Sequence, residues 1–242
     1  MSKKPSFSEL AYTELRRRIL TLEYKPGTRL DDYEISAELK CSRTPVREAM
    51  FRLGAEGWVD AQPKVGFVVR SLDIQNVAQL FEAHGLIAGL VGRLAAQRVT
   101  ESELKEMRAV AAEIREAIER GDRLTMTAKN AELHRLEGRA TRNDIIASCA
   151  TSIHDQSERL AYLCYGGDQT DITEPDLSDH LSKVVHDHDA MIDALERRDE
   201  DAAEEVALRH VHLFRTRVQE YLVRDLSVNL GGLTAKAHSL LS

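Results

Sequence analysis

Residues 42–59 read Ser-Arg-Thr-Pro-Val-Arg-Glu-Ala-Met-Phe-Arg-Leu-Gly-Ala-Glu-Gly-Trp-Val, and this stretch decides the fold of the N-terminal region of the chain. Its spacing predicts a short helix with Arg43, Thr44 and Arg47 in the first turn and Val46, Met50 and Leu53 as an apolar face. Ser42 is placed to cap the free first-turn amides, and Pro45 is tolerated there because its missing N–H would be unpaired anyway. Gly54 and Gly57 end the helix before the apolar exit at Trp58 and Val59. Guanidiniums and a hydroxyl at a helix N-terminus suit insertion into a DNA major groove.

Upstream, residues 8–22 predict a helix with Leu10, Leu15, Ile19 and Leu20 as its apolar stripe. Lys25-Pro26-Gly27 makes a turn, and Asp31 or Asp32 caps a second short helix that reaches about Leu39. Downstream, residues 58–61 and 66–70 form two short apolar strands around Gln62-Pro63-Lys64-Val65. That is a hairpin with a basic, glycine-containing tip, the wing of a winged helix-turn-helix.

From Asp73 onward the pattern is helical, with about six helices near 73–98, 101–120, 122–141, 143–165, 176–197 and 199–224. Thr100 and Glu103 spell a capping box, and Gly121-Asp122 and Arg142-Asn143 are breaks. One long loop is expected from Gly166 to Pro175. The expected fold is therefore mainly α: a winged helix-turn-helix over residues 1–72, an all-α bundle over 73–225, and a loosely attached tail over 226–242.

The 242 residues are 43% hydrophobic and 30% charged, enough apolar material for one large or two smaller cores. No apolar run is long enough to span a bilayer, and Met-Ser-Lys-Lys-Pro lacks the apolar centre of a signal peptide. The latter points to the cytoplasm. Cys41, Cys149 and Cys164, with no metal-ligand spacing, are expected as reduced thiols, two of them in the core. Net charge is −7, but residues 1–72 carry +3 and the remainder −10. A weakly basic module joined to an acidic one suits a DNA reader with a separate sensing or assembly domain.

Nine histidines are present, and their spacing separates them. Asn130 and His134 are four apart, on one helix face. His188 lies on the stripe of Val184, Val185, Met191, Ile192 and Leu195, and His210 on that of Ala203, Val206, Ala207, Leu213 and Phe214. Both are about equally far from the turn near Arg198, so an antiparallel hairpin brings the two rings level. His186 and His212 face outward. Imidazoles and an oxygen ligand converging inside a bundle form a divalent-metal arrangement.

The two modules together resemble the GntR family of bacterial transcription regulators, in the branch with a helical FCD effector domain. The resemblance is carried by Lys25-Pro26-Gly27-Thr28-Arg29-Leu30, Ser42 through Ala49 and Leu53 through Gly57. In the second module it is carried by Leu94 through Arg98, Asn130, Leu133-His134, Asp187-His188 and His210. Six helices in that module resemble the shorter VanR-type version rather than the seven-helix FadR type.

The resemblance implies a homodimer on a pseudo-palindromic operator, the third helix in the major groove and the wing tip in the minor groove. It assigns DNA contacts to Arg43, Thr44, Arg47 and the wing residues Lys64 and Gly66, with Tyr33 standing where relatives often have a basic residue. It implies a divalent metal on Asn130, His134, His188 and His210, Asn130 replacing the usual Asp. Zinc suits the nitrogen ligands; nickel and manganese are alternatives. Relatives often carry Arg and then Glu in the first FCD helix, and here His84 and Ala88 stand at those places. His84 is thus the effector-binding candidate, in a metabolite-controlled repressor that is not an enzyme. The rival functions are an architectural, dimeric DNA binder without ligand and a metal-dependent hydrolase suggested by His186-Asp187.

Overall fold

The computed structural model describes residues 5–70, 74–165, 167 and 175–240. Helix α1 (Phe7–Leu20) starts at Ser6, whose side chain accepts the Glu9 amide, and buries Ala11, Leu15, Ile19 and Leu20. Leu10, expected on that stripe, is exposed. Ala11 takes the inward place because positions 11, 15 and 19 repeat every four residues, whereas 10 falls off that line. Strand β1 (Arg29–Leu30) is followed by α2 (Asp32–Glu38), capped by Asp31, and by α3 (Arg43–Ala55).

Ser42 stands at the N-cap of α3 with extended backbone angles, yet its side chain makes no capping bond, contrary to expectation. The physical reason lies three residues on. A cap side chain bonds the second or third helical amide, and the third residue here is Pro45, which has no N–H.

The wing consists of β2 (Val59–Gln62) and β3 (Gly66–Val69), with Val59 opposite Val69 and Gln62 opposite Gly66. β1 adds to its other side, Arg29 opposite Val68, so the sheet order is β1-β3-β2 rather than the two-stranded hairpin expected. Lys64 and Gly66 both take positive φ at the tip, which lets the chain reverse tightly there. Val46, Met50, Leu53, Trp58 and Phe67 close this module's core on the inner face of α1.

The second module is α4 (Ile74–Arg98), α5 (Glu101–Glu119), α6 (Arg123–Ala140), α7 (Asp144–Cys164), α8 (Pro175–Glu196) and α9 (Glu200–Leu240). Thr100 and Glu103 complete the capping box at α5. α9 continues past the expected end near 224, through Gly231 and Gly232; a helical glycine costs about 1 kcal/mol against alanine and need not end a helix. The loop expected from Gly166 to Pro175 and the junction at 72/73 lie largely outside the described residues. Of the cysteines only Cys164 is buried; Cys41 is half-buried and Cys149 exposed.

α4 lies along α9, α5 against α6 and α8, and α6 against α7, around a core that includes Met107, Leu133, Leu160, Leu177 and Ile192. The α4–α9 approach is set at Gly92. A Cβ there would meet the Ala203 carbonyl oxygen at 2.8 Å and the Glu204 amide nitrogen at 3.2 Å, both backbone. Gly92→Ala therefore has to push α4 away from α9, and both helices line the central cavity. It should cost about 1–3 kcal/mol in urea unfolding; an unchanged midpoint would show that the helices tolerate the separation.

Candidate functional site

The first surface is the start of α3. Arg43, Thr44 and Arg47 are all exposed there, Tyr33 on α2 is 69% exposed, and Lys64 and Gly66 are exposed at the wing tip. The two guanidiniums are not free. Arg43 Nη2 donates to Asp32 Oδ1 at 2.8 Å, and Arg47 Nη1 to Asp32 Oδ2 at 3.2 Å. Burial pushes the Asp32 carboxyl up, but hydrogen bonds from Arg43 and Arg47 outweigh it and hold the group below its ordinary range. One carboxylate thus poses the two exposed cations at the start of α3, a contact that residue patterning did not single out. Exposed pairs of this kind hold by about 0–1 kcal/mol, so another acceptor can displace the carboxylate. Because Ser42 leaves the first-turn amides of α3 unbonded by its side chain, the helix start also offers N–H donors to an anion.

The second site lies inside the bundle. His134 on α6, His188 on α8 and His210 on α9 each offer a ligand atom, and these atoms lie within 4.8 Å of one another. His134 and His188 are buried and His210 is half-buried, while His186 and His212 are not buried, as their spacing predicts. The His186-Asp187 pair therefore does not present both side chains to one centre. A fourth and a fifth ring complete the group. His154 on α7 stacks on His134 with centroids 4.4 Å apart and planes at 8°, and His84 on α4 meets His154 edge-on at 4.9 Å. His154 was not singled out from sequence, although it falls between Ala150 and Ser157 on the inward stripe of α7.

Electrostatics disfavours charge on four of these rings, His84, His154, His188 and His210. Burial, and then the charge that neighbouring histidines would carry, lowers His84 to about 3 and drives His154 and His188 well below the ordinary imidazole range. Burial lowers His210 too, opposed by Asp187. Neutral rings keep a lone pair for a ligand. Two inward carboxylates, also missed from sequence, sit behind the rings. Glu137 Oε2 is 2.9 Å from His134 Nδ1, which fixes the tautomer and leaves Nε2 free. Asp187 Oδ2 stands 3.6 Å from His210 Nδ1, too far for a direct hydrogen bond, and Oδ1 accepts from Arg209 Nε at 2.8 Å.

Several polar atoms facing this region have no partner among the described residues: Nδ1 of His84, Nε2 of His188, Nδ1 of His210 and Oδ1 of Asn130. Asn130 lines the same space as His84, His134, His154 and His210. Nitrogen ligands on a tetrahedral zinc stand about 3.4 Å apart, given bonds of roughly 2.1 Å. Three nitrogens within 4.8 Å come to that spacing through small ring rotations, so the donor set fits a borderline divalent cation. The adjoining cavity holds about 30 Å³, room for one or two water-sized groups, with apolar walls from Ile87, Val91, Met191 and Val206.

Family models match both modules: "Bacterial regulatory proteins, gntR family" over residues 7–69 and "FCD domain" over residues 79–213. The Nta operon transcriptional regulator of Aminobacter aminovorans is 36% identical over 89 residues, which are 37% of this chain and 42% of that protein. The HTH-type transcriptional repressor RspR of Escherichia coli K12 is 26% identical over 203 residues, 83% of each chain. Among solved structures, E. coli McbR/YncC superposes with a TM-score of 0.72 at 17% identity, covering 91% of this chain and 99% of its own, a likeness of fold.

The buried rings make stability depend on pH. In the unfolded chain each histidine takes up a proton near 6.5, whereas folded His84, His154 and His188 remain neutral far below that. The unfolded state then binds more protons, so stability is full above about pH 6.5 and is lost as pH falls, by about 1.4 kcal/mol per unit for each such ring. Urea midpoints measured from pH 7.5 to 5 should fall steeply, and His84→Leu should flatten the slope. A flat profile in the parent protein would contradict the burial of neutral rings.

Proposed function

The chain belongs to the GntR family of bacterial transcription regulators, in the branch with an FCD domain, and from that premise we propose how its two modules divide the work. The N-terminal module, residues 1–72, reads one half of an operator, and a second copy reads the other. Arg43 and Arg47 donate to guanine edges, each good two-bond contact worth about 1–3 kcal/mol of discrimination. Thr44 bonds a phosphate or meets a thymine methyl, Tyr33 reaches a phosphate with its hydroxyl, and Lys64 and Gly66 carry the wing along the minor groove. Asp32 holds both guanidiniums until the DNA replaces it. Leu86 and Leu90, 75% and 41% exposed one turn apart on α4, support pairing of two copies through the bundle.

The bundle, residues 73–225, decides when the operator is bound. Asn130, His134, His188 and His210 hold a divalent metal, zinc by ligand preference, with nickel and manganese as alternatives. When bound, the ion supplies positive charge and open positions for an oxygen-bearing metabolite. Asn130 adds no charge, so Glu137 and Asp187, behind the rings, compensate the cation. His84 replaces the arginine common in relatives and offers the effector a neutral nitrogen, which favours a polar ligand over one recognised through an ion pair. The observation that carries this reading is the convergence of three ring nitrogens, from three helices, within 4.8 Å. Repression is the direction favoured by the name of the RspR relative, and the cytoplasm is where such a regulator meets DNA.

Two measurements test the division. On an operator selected by the parent protein from a random pool, Arg47→Ala should weaken binding about ten- to a hundredfold with unchanged folding, consistent with the loss of one two-bond base contact. Equal affinity would remove Arg47 from the reading face. Protein equilibrated with zinc and desalted should retain one ion per chain, and His188→Ala should retain none. Unchanged stoichiometry in that variant would leave the architectural binder as the better account of the bundle.

A further inference from the structure

Between the two modules lies a further cavity, of about 50 Å³, lined by Trp58 and Arg70 from the DNA-reading side and by Asp155, Gln156 and Arg159 from α7, the Asp155 carboxylate being paired with Arg135. It is separate from the histidine cluster. Arg159 is only 5% exposed. Its Nη2 donates to the Arg70 carbonyl oxygen at 2.8 Å, while Nη1 is buried without a partner among the described residues. Trp58 is 4% exposed, and its indole Nε1 likewise has no partner among the described residues.

The nearby carboxylates are committed elsewhere. Asp60 pairs with Arg70, Asp155 with Arg135 and Glu158 with Arg16. Each of those three acids has its own cation, and among the described residues Arg159 is left with no anionic partner. Burial, and then the charge of Arg70, lowers its pKa to about 10.

A buried guanidinium without a counter-charge is costly, and an apolar side chain of similar volume would serve packing better. Water would satisfy the bare N–H groups but not the charge. A cavity of about 50 Å³ also exceeds the roughly 10–15 Å³ that one water needs. We propose that this inter-module cleft binds a small oxyanion, inorganic phosphate or the phosphate or carboxylate head of a metabolite, through Arg159 and the Trp58 indole N–H. The planar fork of arginine suits such a group, and the indole adds a neutral donor. An anion held there touches both modules and stiffens their connection, a second input to operator binding that does not depend on a metal.

Trp58 is the chain's one tryptophan, so its emission reports on this cleft directly. Full-length protein is titrated with inorganic phosphate and, separately, with acetate, chloride being used to hold ionic strength constant. Phosphate should change the emission saturably, and a matching response to acetate would extend the site to carboxylates. Arg159→Met should abolish the response, whereas Arg47→Ala, which removes a cation on the DNA face, should keep it. If Arg159→Met does not fold by circular dichroism, Arg159→Lys, which keeps the charge but loses the fork, should raise the half-saturation point at least several-fold. The absence of a saturable change in the parent protein, or an unchanged response in the folded Arg159 variant, would overturn the proposal.

Discussion

Five imidazoles packed around one small cavity set the terms for the rest of the bundle. Their rings touch in sequence, His84 to His154, His154 to His134, and His134 to both His188 and His210. Five helices must supply them, so α4, α6, α7, α8 and α9 all converge at one level. A core that needed only volume would use leucine here. Each buried polar atom left without a partner costs about 1–3 kcal/mol, and this region keeps several. Such an arrangement persists most readily where something outside the chain completes it, and this is the ground on which a metal and a small polar effector are proposed for it.

α7 connects that cavity to the DNA-reading module. On one side His154 stacks on His134 inside the cavity. On the other, Glu158 accepts Arg16 from α1, with Nη1 to Oε1 at 3.0 Å and a second bond beside it. Arg159 donates to the backbone of Arg70, and Tyr162 packs in the core of the first module. Glu158 also lines the cavity shared by Asn130 and His134. Burial pushes its carboxyl up and Arg16 opposes that, so the charge of the acid depends on the ion pair across the junction. One helix therefore carries both the His154 stack and the Arg16 ion pair, with no loop between them.

Much of this was legible in the residues. The Ser42–Val59 stretch announces a helix, its buried face and its exposed basic start, and the Thr100–Glu103 box announces the start of α5. The turn near Arg198 is readable from the residues, and the hairpin it makes brings His188 and His210 level, 4.9 Å between ring centroids. What was not legible shares one cause, dependence on groups remote in sequence. β1 is two residues long and has no period to detect. Arg16 and Glu158 are 142 residues apart, and neither carries a local sign of the other. Asp32 meets Arg43 and Arg47 only once α2 has folded onto α3. His154 falls on the inward stripe of α7 but sits beside stronger apolar signals, and Glu137 reads as a surface acid until the bundle closes over it.

The central claim is that the ring cluster is a metal centre, and anomalous X-ray scattering addresses it most directly. Crystals grown from zinc-equilibrated protein and measured on both sides of the zinc absorption edge should show one edge-dependent peak per chain. It should lie about 2.1 Å from nitrogens of His134, His188 and His210, with Asn130 alongside. An occupied peak elsewhere, or solvent-level density among three well-ordered rings, would contradict the account and leave the histidines as a neutral polar core.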